Sequence, residues 1–124
     1  MTGYAQLATT TSTKADAETV AAAALEARQA ACVQIVGPIE SRYWWQGKLE
    51  VAEEWLCLLK TSAGRVDSLM ETVRAVHSYE TPEITVTPLS GGDARYLAWV
   101  DAETASDEGR TAEAEAEAHA VQPQ

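Results

Sequence analysis

Apolar residues follow two kinds of pattern along the chain, and each kind predicts one type of element. Apolar runs, most of them alternating, predict strands over residues 3–10, 31–36, 39–45, 49–61 and 83–89. Helical spacing predicts a first helix from about residue 13 to 29. A second helix is indicated by the stripe Val66, Leu69, Met70, Val73, Val76 and His77. Residues 93–100 predict a short third helix.

The stretch RYWWQGKLE, residues 42–50, predicts a hairpin that organises the rest of the chain. Its consecutive aromatic residues suit a pleated surface, and Gln46-Gly47 suits a tight turn. Residues 39–45 and 49–61 form the two arms, whereas Gly37-Pro38 is expected to end the preceding strand. The second arm is longer than the strands of a small sheet usually are, so we expect its extra length to pair with something outside a compact small sheet.

The order β-α-β-β-α-β, followed by a short helix, predicts an α+β fold of the ferredoxin-like type. In this fold a four-stranded antiparallel sheet carries both long helices on one face. Its other face stays open, and covering that face requires a partner surface. The pattern therefore favours self-association.

Length and charge narrow the possible functions. The 124 residues suit one domain, over residues 1–102, and residues 103–124 form an acidic Glu-Ala tail that we expect to be a frayed helix or disordered. The formal net charge of −10 argues against a nucleic-acid partner. No apolar run is long enough for membrane insertion, and the N-terminus resembles no leader, which predicts a cytoplasmic protein. Cys32 and Cys57 lie in apolar strands, where we expect reduced thiols.

The chain resembles the CutA divalent-cation tolerance proteins over about residues 3–100. The resemblance is carried by the order and spacing of short motifs: Tyr43, Trp45, Gly47, Lys48, Glu54, Lys60-Thr61, His77, Tyr79, Pro82-Glu83, Tyr96-Leu97 and Trp99. Ala30-Ala31-Cys32-Val33 also matches the position of that family's buried cysteine. The resemblance implies a homotrimer in which long hairpins join the sheets of neighbouring subunits, similar in shape to the PII signalling proteins.

The resemblance also implies a site for Cu(II) or another divalent cation. The family's proposed copper ligands are a cysteine ending the first strand and two adjacent histidines ending the second helix. Those positions correspond here to Thr9, Val76 and His77, so only His77 is a metal-binding residue type. The structural alternative is that His77 packs in the core at the end of its helix. Cys57, which faces the core with Trp55, is expected to be structural as well.

Carboxylates give a second class of cation candidates, Glu50, Glu53, Glu54, Glu80 and Glu83, which could instead be solvated charges. The resemblance places five residues near a cleft between subunits: Trp45, Glu54, Lys60, Tyr79 and Glu83. Because Lys60 lies within an apolar strand, we expect Glu54 or Glu83 to pair with it. This cluster is either structural or a pocket for a small anion or metabolite, with Lys60 as its charged anchor.

Two functions follow as hypotheses. The first is a non-catalytic, trimeric divalent-cation tolerance protein that binds metal weakly or indirectly. The alternative is a PII-like trimeric sensor or scaffold that binds a small molecule and regulates a partner protein. Nucleophile, phosphate-loop and zinc motifs are not found in the sequence, which argues against an enzyme.

Overall fold

The computed structural model of the protein describes residues 3–105. Eight elements follow one another: β1 (Tyr4–Thr11), α1 (Lys14–Glu26), β2 (Cys32–Trp45), β3 (Lys48–Ser62), a 3-10 turn (Ala63–Arg65), α2 (Val66–Val76), β4 (Thr85–Leu89) and α3 (Ala94–Thr104). The strands form one antiparallel sheet in the order β2-β3-β1-β4. The predicted ferredoxin-like fold is therefore confirmed, with β3 as a central strand.

The core lies between the sheet and the first two helices. Leu7 on β1 and Cys57 and Leu59 on β3 are buried against apolar residues of the helices. The helical side contributes Ala17, Val20 and Ala24 from α1 and Leu69 and Val73 from α2. Small residues on α1 let the helix approach the sheet closely, which is why an alanine-rich helix can cover this face.

The N-termini of α1 and α3 are fixed by side-chain caps. The Thr13 side chain accepts a hydrogen bond from the Asp16 amide at 3.0 Å, and Asp93 accepts one from the Tyr96 amide at 3.0 Å. Both caps satisfy a backbone donor that has no partner within the helix. At its other end α1 stops at Glu26, three residues before the predicted end, because Arg28 adopts a left-handed conformation with φ of 57°.

The predicted strand break at Gly37-Pro38 is wrong. β2 continues from Cys32 to Trp45, and a bulge between Val36 and Ile39 shifts its register against β3. A bulge leaves the extra residues out of the ladder and bends the strand, so a proline there removes no paired amide. The residues predicted as two strands, 31–36 and 39–45, form one long strand, so the five predicted segments correspond to the four strands of the sheet.

Beyond the four-stranded part, β2 and β3 continue as a two-stranded ribbon. β1 pairs with β3 only as far as Thr11 opposite Trp55, so residues 48–54 of β3 pair with β2 alone. The ribbon closes at Gln46 and Gly47, whose φ values of 49° and 80° match the predicted tight turn. At roughly 3.3 Å per residue, its seven residue pairs extend over about 23 Å.

The C-terminal helix is longer than predicted. α3 runs to Thr104, four residues past the predicted end, because its last turns are anchored to the 3-10 turn and β3. The Arg65 Nε donates to the Thr104 carbonyl at 2.6 Å, and the Ser62 and Thr104 hydroxyls lie 2.9 Å apart. The expected domain boundary at residue 102 thus falls inside α3. The acidic tail from residue 106 onward lies outside the described residues.

Both cysteines are free thiols, as expected, and burial raises the pKa of Cys57 to about 11. Within residues 3–105, none of the helices has the length and apolar character needed to cross a membrane.

Candidate functional site

A cleft of about 680 Å³ opens between the ribbon and the segment that follows α2. One wall comes from β2, on which Ser41, Tyr43 and Trp45 point to the same side because side chains alternate along a strand. Glu54 of β3 lies beside this wall, and residues 78–81 and 83 form the opposite wall. The cleft therefore depends on the hairpin that the sequence predicted.

A short hydrogen bond joins the two walls. The Tyr79 hydroxyl donates to a carboxylate oxygen of Glu54 at 2.6 Å, and Glu54 is buried, with 6% of its surface exposed. Burial, and then the bond to Glu54, raises the pKa of Tyr79 well above its usual range. The phenol therefore stays protonated at neutral pH and acts as a donor to the carboxylate.

Four of the five predicted cleft residues line this cavity, namely Trp45, Glu54, Tyr79 and Glu83. Lys60 does not, and the expected pairing of Lys60 with Glu54 or Glu83 is wrong within the subunit. Its ammonium donates to the side chain of Gln34 on β2 at 3.3 Å. Lys60 lies six residues along β3 from Glu54, about 20 Å of extended chain, which is too far for an ion pair.

Two lining residues were named in the sequence but not placed in the cleft: Tyr43 only as part of the resemblance, and Glu80 only as a carboxylate candidate for a cation. Tyr43 lies two positions before Trp45 on β2, so strand alternation would have placed both on one wall. Glu80 follows Tyr79 and also lines the cleft, but no periodicity marks a residue in an irregular segment.

His77 lies directly after α2, where both of its ring nitrogens make hydrogen bonds. The Nδ1 accepts from the Tyr79 amide at 3.0 Å, so Nε2 carries the proton in the neutral ring. Nε2 lies 2.9 Å from the Thr10 carbonyl and 3.1 Å from the Thr9 hydroxyl. The histidine thereby ties the end of α2 to the end of β1.

The positions of the family's proposed copper ligands do come together in space, since Thr9 contacts His77. The residues at those positions do not fit a copper ion, however. Thr9 offers a hydroxyl, Val76 offers no donor atom, and neither nitrogen of His77 is free. No group of three or more histidine, cysteine or acidic side chains that could hold a metal ion is found among residues 3–105.

Comparison with known proteins finds a family model and relatives that carry the same family name. The family model described as CutA1 divalent ion tolerance protein matches residues 5–103. A divalent-cation tolerance protein CutA of Archaeoglobus fulgidus is 41% identical over 86 residues, which are 69% of this chain and 83% of that protein. A chloroplastic CutA 1 protein of rice is 42% identical over 81 residues, 65% of this chain but only 46% of the rice protein.

Solved structures agree with these sequence relatives. The structure of CutA1 from Oryza sativa superposes with a TM-score of 0.81 at 35% identity, covering 86% of this chain and 97% of that one. The periplasmic CutA of Archaeoglobus fulgidus gives a TM-score of 0.80 at 35% identity, covering 82% and 99%. The fold, the order of the motifs and these matches agree, and the chain belongs to the CutA1 divalent ion tolerance family.

Proposed function

We propose that the protein is a homotrimeric, non-catalytic divalent-cation tolerance protein that binds metal ions weakly or acts on them indirectly. The family model over residues 5–103 is the observation that carries this proposal, since its description names tolerance to divalent ions and no reaction. The relatives of Archaeoglobus fulgidus and rice carry related names.

The ribbon supports the trimer in this proposal. Six of the large apolar residues exposed in the subunit lie on β2 and β3: Val36, Tyr43, Trp44, Trp45, Leu49 and Val51. Trp44 is 71% exposed and Leu49 is 66% exposed. A two-stranded ribbon is marginally stable by itself, and an apolar patch of this kind is usually covered by a partner. A second and third copy of the chain are the partners proposed.

Weak or indirect metal binding is proposed because the copper-ligand positions lack suitable donors. For Cu(II) to coordinate His77, the ring would have to give up a hydrogen bond to Thr10 or to Tyr79. That loss opposes binding and leaves His77 as a low-affinity ligand at best.

A cytoplasmic location remains part of the proposal and is independent of the family name. One relative is described as periplasmic and another as chloroplastic, so the family occurs in several compartments. The two free thiols suit a reducing compartment such as the cytoplasm.

The test is a thermal-shift titration with Cu(II), Zn²⁺ and Ni²⁺ on the wild type and on His77→Ala. An ion that binds the native state raises the melting temperature by mass action. We expect a small Cu(II)-induced shift that His77→Ala reduces, read as the difference with and without ion so that lower basal stability does not matter. The matched control is His119→Ala, which removes the chain's other histidine. A copper shift unchanged in His77→Ala would remove His77 from the proposal.

The second candidate function is a PII-like sensor or scaffold. The cleft favours it, because a cavity of about 680 Å³ with aromatic walls and a buried carboxylate has the size and composition of a small-molecule site. Under this reading, occupancy of the cleft changes the ribbon surface that a partner protein contacts.

A further inference from the structure

We propose that the cleft binds a small organic cation, a molecule that carries an amino or guanidino group on an apolar body. This inference rests on the second candidate function, since it names the class of ligand that the sensor would detect. It differs from the sequence-based alternative of a pocket for a small anion or metabolite anchored by Lys60, because Lys60 does not line the cleft.

The charges of the cleft favour a cation. Glu54, Glu80 and Glu83 line it, and within residues 3–105 Arg42 is the one basic side chain in the lining. The Arg42 Nε already donates to Glu40 at 2.8 Å, so its charge is partly compensated outside the cleft. An entering anion would meet three carboxylates, whereas an entering cation would be attracted by them.

Glu54 has unused capacity to accept hydrogen bonds. Within the described residues it accepts one, from Tyr79, and it makes no ion pair. An ionised carboxylate has about four acceptor positions. An ammonium or guanidinium group would fill the remaining acceptor positions with charged donors, and such hydrogen bonds are shorter and stronger than those from neutral donors.

The apolar part of the cleft suits the same ligand class. Tyr43, Trp45 and Tyr79 present aromatic surfaces beside the carboxylates, with Tyr43 and Trp45 respectively 41% and 49% exposed in the subunit. An organic cation is attracted to the face of an aromatic ring, and its apolar body gains by covering that ring. Carboxylates combined with aromatic faces therefore recognise a charged amine better than a neutral or anionic metabolite.

The arrangement disfavours a bare metal ion at the same place. A divalent cation needs several oxygen or nitrogen ligands at about 2.0–2.6 Å from one point. In residues 3–105 no group of three histidine, cysteine or acidic side chains that could hold a metal ion is found, so Glu54, Glu80 and Glu83 do not form one. An organic cation has its donors distributed over a larger body and needs no convergence.

The test uses tyramine and agmatine as probes, with tyrosol as the neutral counterpart of tyramine and CuCl₂ as the metal. Tyrosol differs from tyramine only in replacing the amino group by a hydroxyl, so the pair isolates the charge. Binding is followed by isothermal titration calorimetry and by thermal shift on the full chain. We expect both amines to bind and tyrosol to bind at least tenfold more weakly.

The variants assign the binding to the cleft. Glu54→Gln keeps the size of the side chain and an acceptor for Tyr79 but removes the charge, and should weaken amine binding at least tenfold. Glu83→Gln, on the exposed rim, should weaken amine binding severalfold. This variant replaces Glu54→Gln in the test if Glu54→Gln folds poorly. Glu71→Gln on α2 is exposed and outside the cleft, and should leave affinity unchanged.

The outcomes separate this inference from the tolerance function. Equal binding of tyramine and tyrosol, or amine binding undiminished in both cleft variants, overturns the organic-cation site; the second result would indicate general attraction to an acidic surface. A copper shift with no response to either amine also overturns the inference and leaves the tolerance function standing. Amine binding that is lost in Glu54→Gln, with no response to copper, supports the sensor.

Discussion

Two tyrosine hydroxyls hold carboxylates that lie far away along the chain. Tyr79 donates to Glu54 inside the cleft, and Tyr4 on β1 donates to Asp101 on α3 at 2.5 Å. Each bond ties a helix or an irregular segment to a strand. Each also works only while the phenol keeps its proton, so the packing of α3 and of the cleft wall depends on pH.

This dependence predicts a loss of stability in alkali. The hydrogen bond to Asp101, with smaller effects of burial and of the Asp101 charge, raises the pKa of Tyr4 from 10.0 to about 12. Between these values the unfolded chain has lost the proton while the folded chain keeps it, so the free energy of unfolding falls as pH rises. Below pH 10 the contribution of Tyr4 is complete. Urea midpoints measured from pH 8 to pH 12 should therefore decline more steeply above about pH 10, where Tyr4 adds to the decline that the raised pKa of Cys57, from 9.0 to about 11, starts near pH 9.

The Tyr4→Phe variant tests whether Tyr4 causes this loss of stability. It cannot lose the proton, so its decline above pH 10 should be shallower than that of the wild type. Tyr43→Phe is the matched control, because no side-chain hydrogen bond of Tyr43 occurs within residues 3–105. Parallel declines in the wild type and Tyr4→Phe would show that the other tyrosines, or Cys57, cause the effect.

His77 shows how one residue can fit both a structural and a metal-binding interpretation in the sequence. It continues the apolar stripe of α2, and it aligns with a proposed ligand position of the family. The three-dimensional contacts give the ring a structural role, because it bridges Thr10 and Tyr79 with both nitrogens, and metal binding by His77 stays a proposal. A position in the apolar stripe of a helix predicts that the side chain is buried, but it does not predict which polar atoms surround the ring.

At the scale of elements, local patterns predicted most of the fold. The period of two on β3 placed Cys57 and Leu59 on the core face, and both are fully buried. The starts of α1 and α3 agree with the predicted starts at about residues 13 and 93, because the caps Thr13 and Asp93 act within three residues of sequence. The ends of α1 and α3 and the continuity of β2 could not be predicted in this way. They depend on contacts with residues that are distant along the chain, such as Arg65 with Thr104.

The candidate site was predictable to a similar degree. The family resemblance placed Trp45, Glu54, Tyr79 and Glu83 near a cleft between subunits; in the single subunit they line one cleft, and its place between subunits stays a prediction. The partner of Lys60 was not predictable, since an amine in an apolar strand indicates only that some acceptor is near. The acceptor is Gln34, which the pairing of β2 with β3 brings close to Lys60. Charge complementarity would not have selected a neutral glutamine.

The bulge in β2 predicts a sensitive glycine. At Gly37 an added Cβ would lie 2.4 Å from Cε3 and 2.6 Å from Cδ2 of Trp55, closer than carbon atoms can approach. Trp55 packs against the core, so it cannot move without disturbing its neighbours. Gly37→Ala should therefore lower the free energy of unfolding by about 1–3 kcal/mol, measured by urea denaturation at fixed protein concentration.

A second glycine gives the control for this effect. No atom lies within 4 Å of the position that a Cβ would take at Gly64. Gly64→Ala should therefore change stability by less than about 1 kcal/mol. Equal losses in the two variants would mean that the close approach to Trp55 is relieved by a small shift of the strand.

At the scale of the whole molecule, the two faces of the ribbon have different neighbours. Directly opposed residues lie on the same side of a two-stranded sheet, and Trp44 opposes Leu49 while Trp45 opposes Lys48. Trp45 therefore faces the cleft with Tyr43, whereas Trp44 and Leu49 face solvent in the isolated subunit. One ribbon thus links the two proposals: one face forms the wall of a binding site, and the other is a contact surface between subunits.

This division predicts variants that break the assembly without changing the cleft wall. Trp44→Glu should place a charge in the apolar contact between subunits. Buried tryptophans at interfaces commonly contribute 2 kcal/mol or more to the binding free energy, about 30-fold in affinity. We expect the wild type to sediment as a trimer and Trp44→Glu to dissociate at micromolar concentration, measured by analytical ultracentrifugation. Leu25→Lys on α1 is the control, because Leu25 is another exposed apolar residue, 40% exposed, that lies off the ribbon. Dissociation of Leu25→Lys alone would place the contact between subunits on the helical face. A monomeric wild type would contradict the trimer, and the apolar surface of the ribbon would then be explained by a different protein partner.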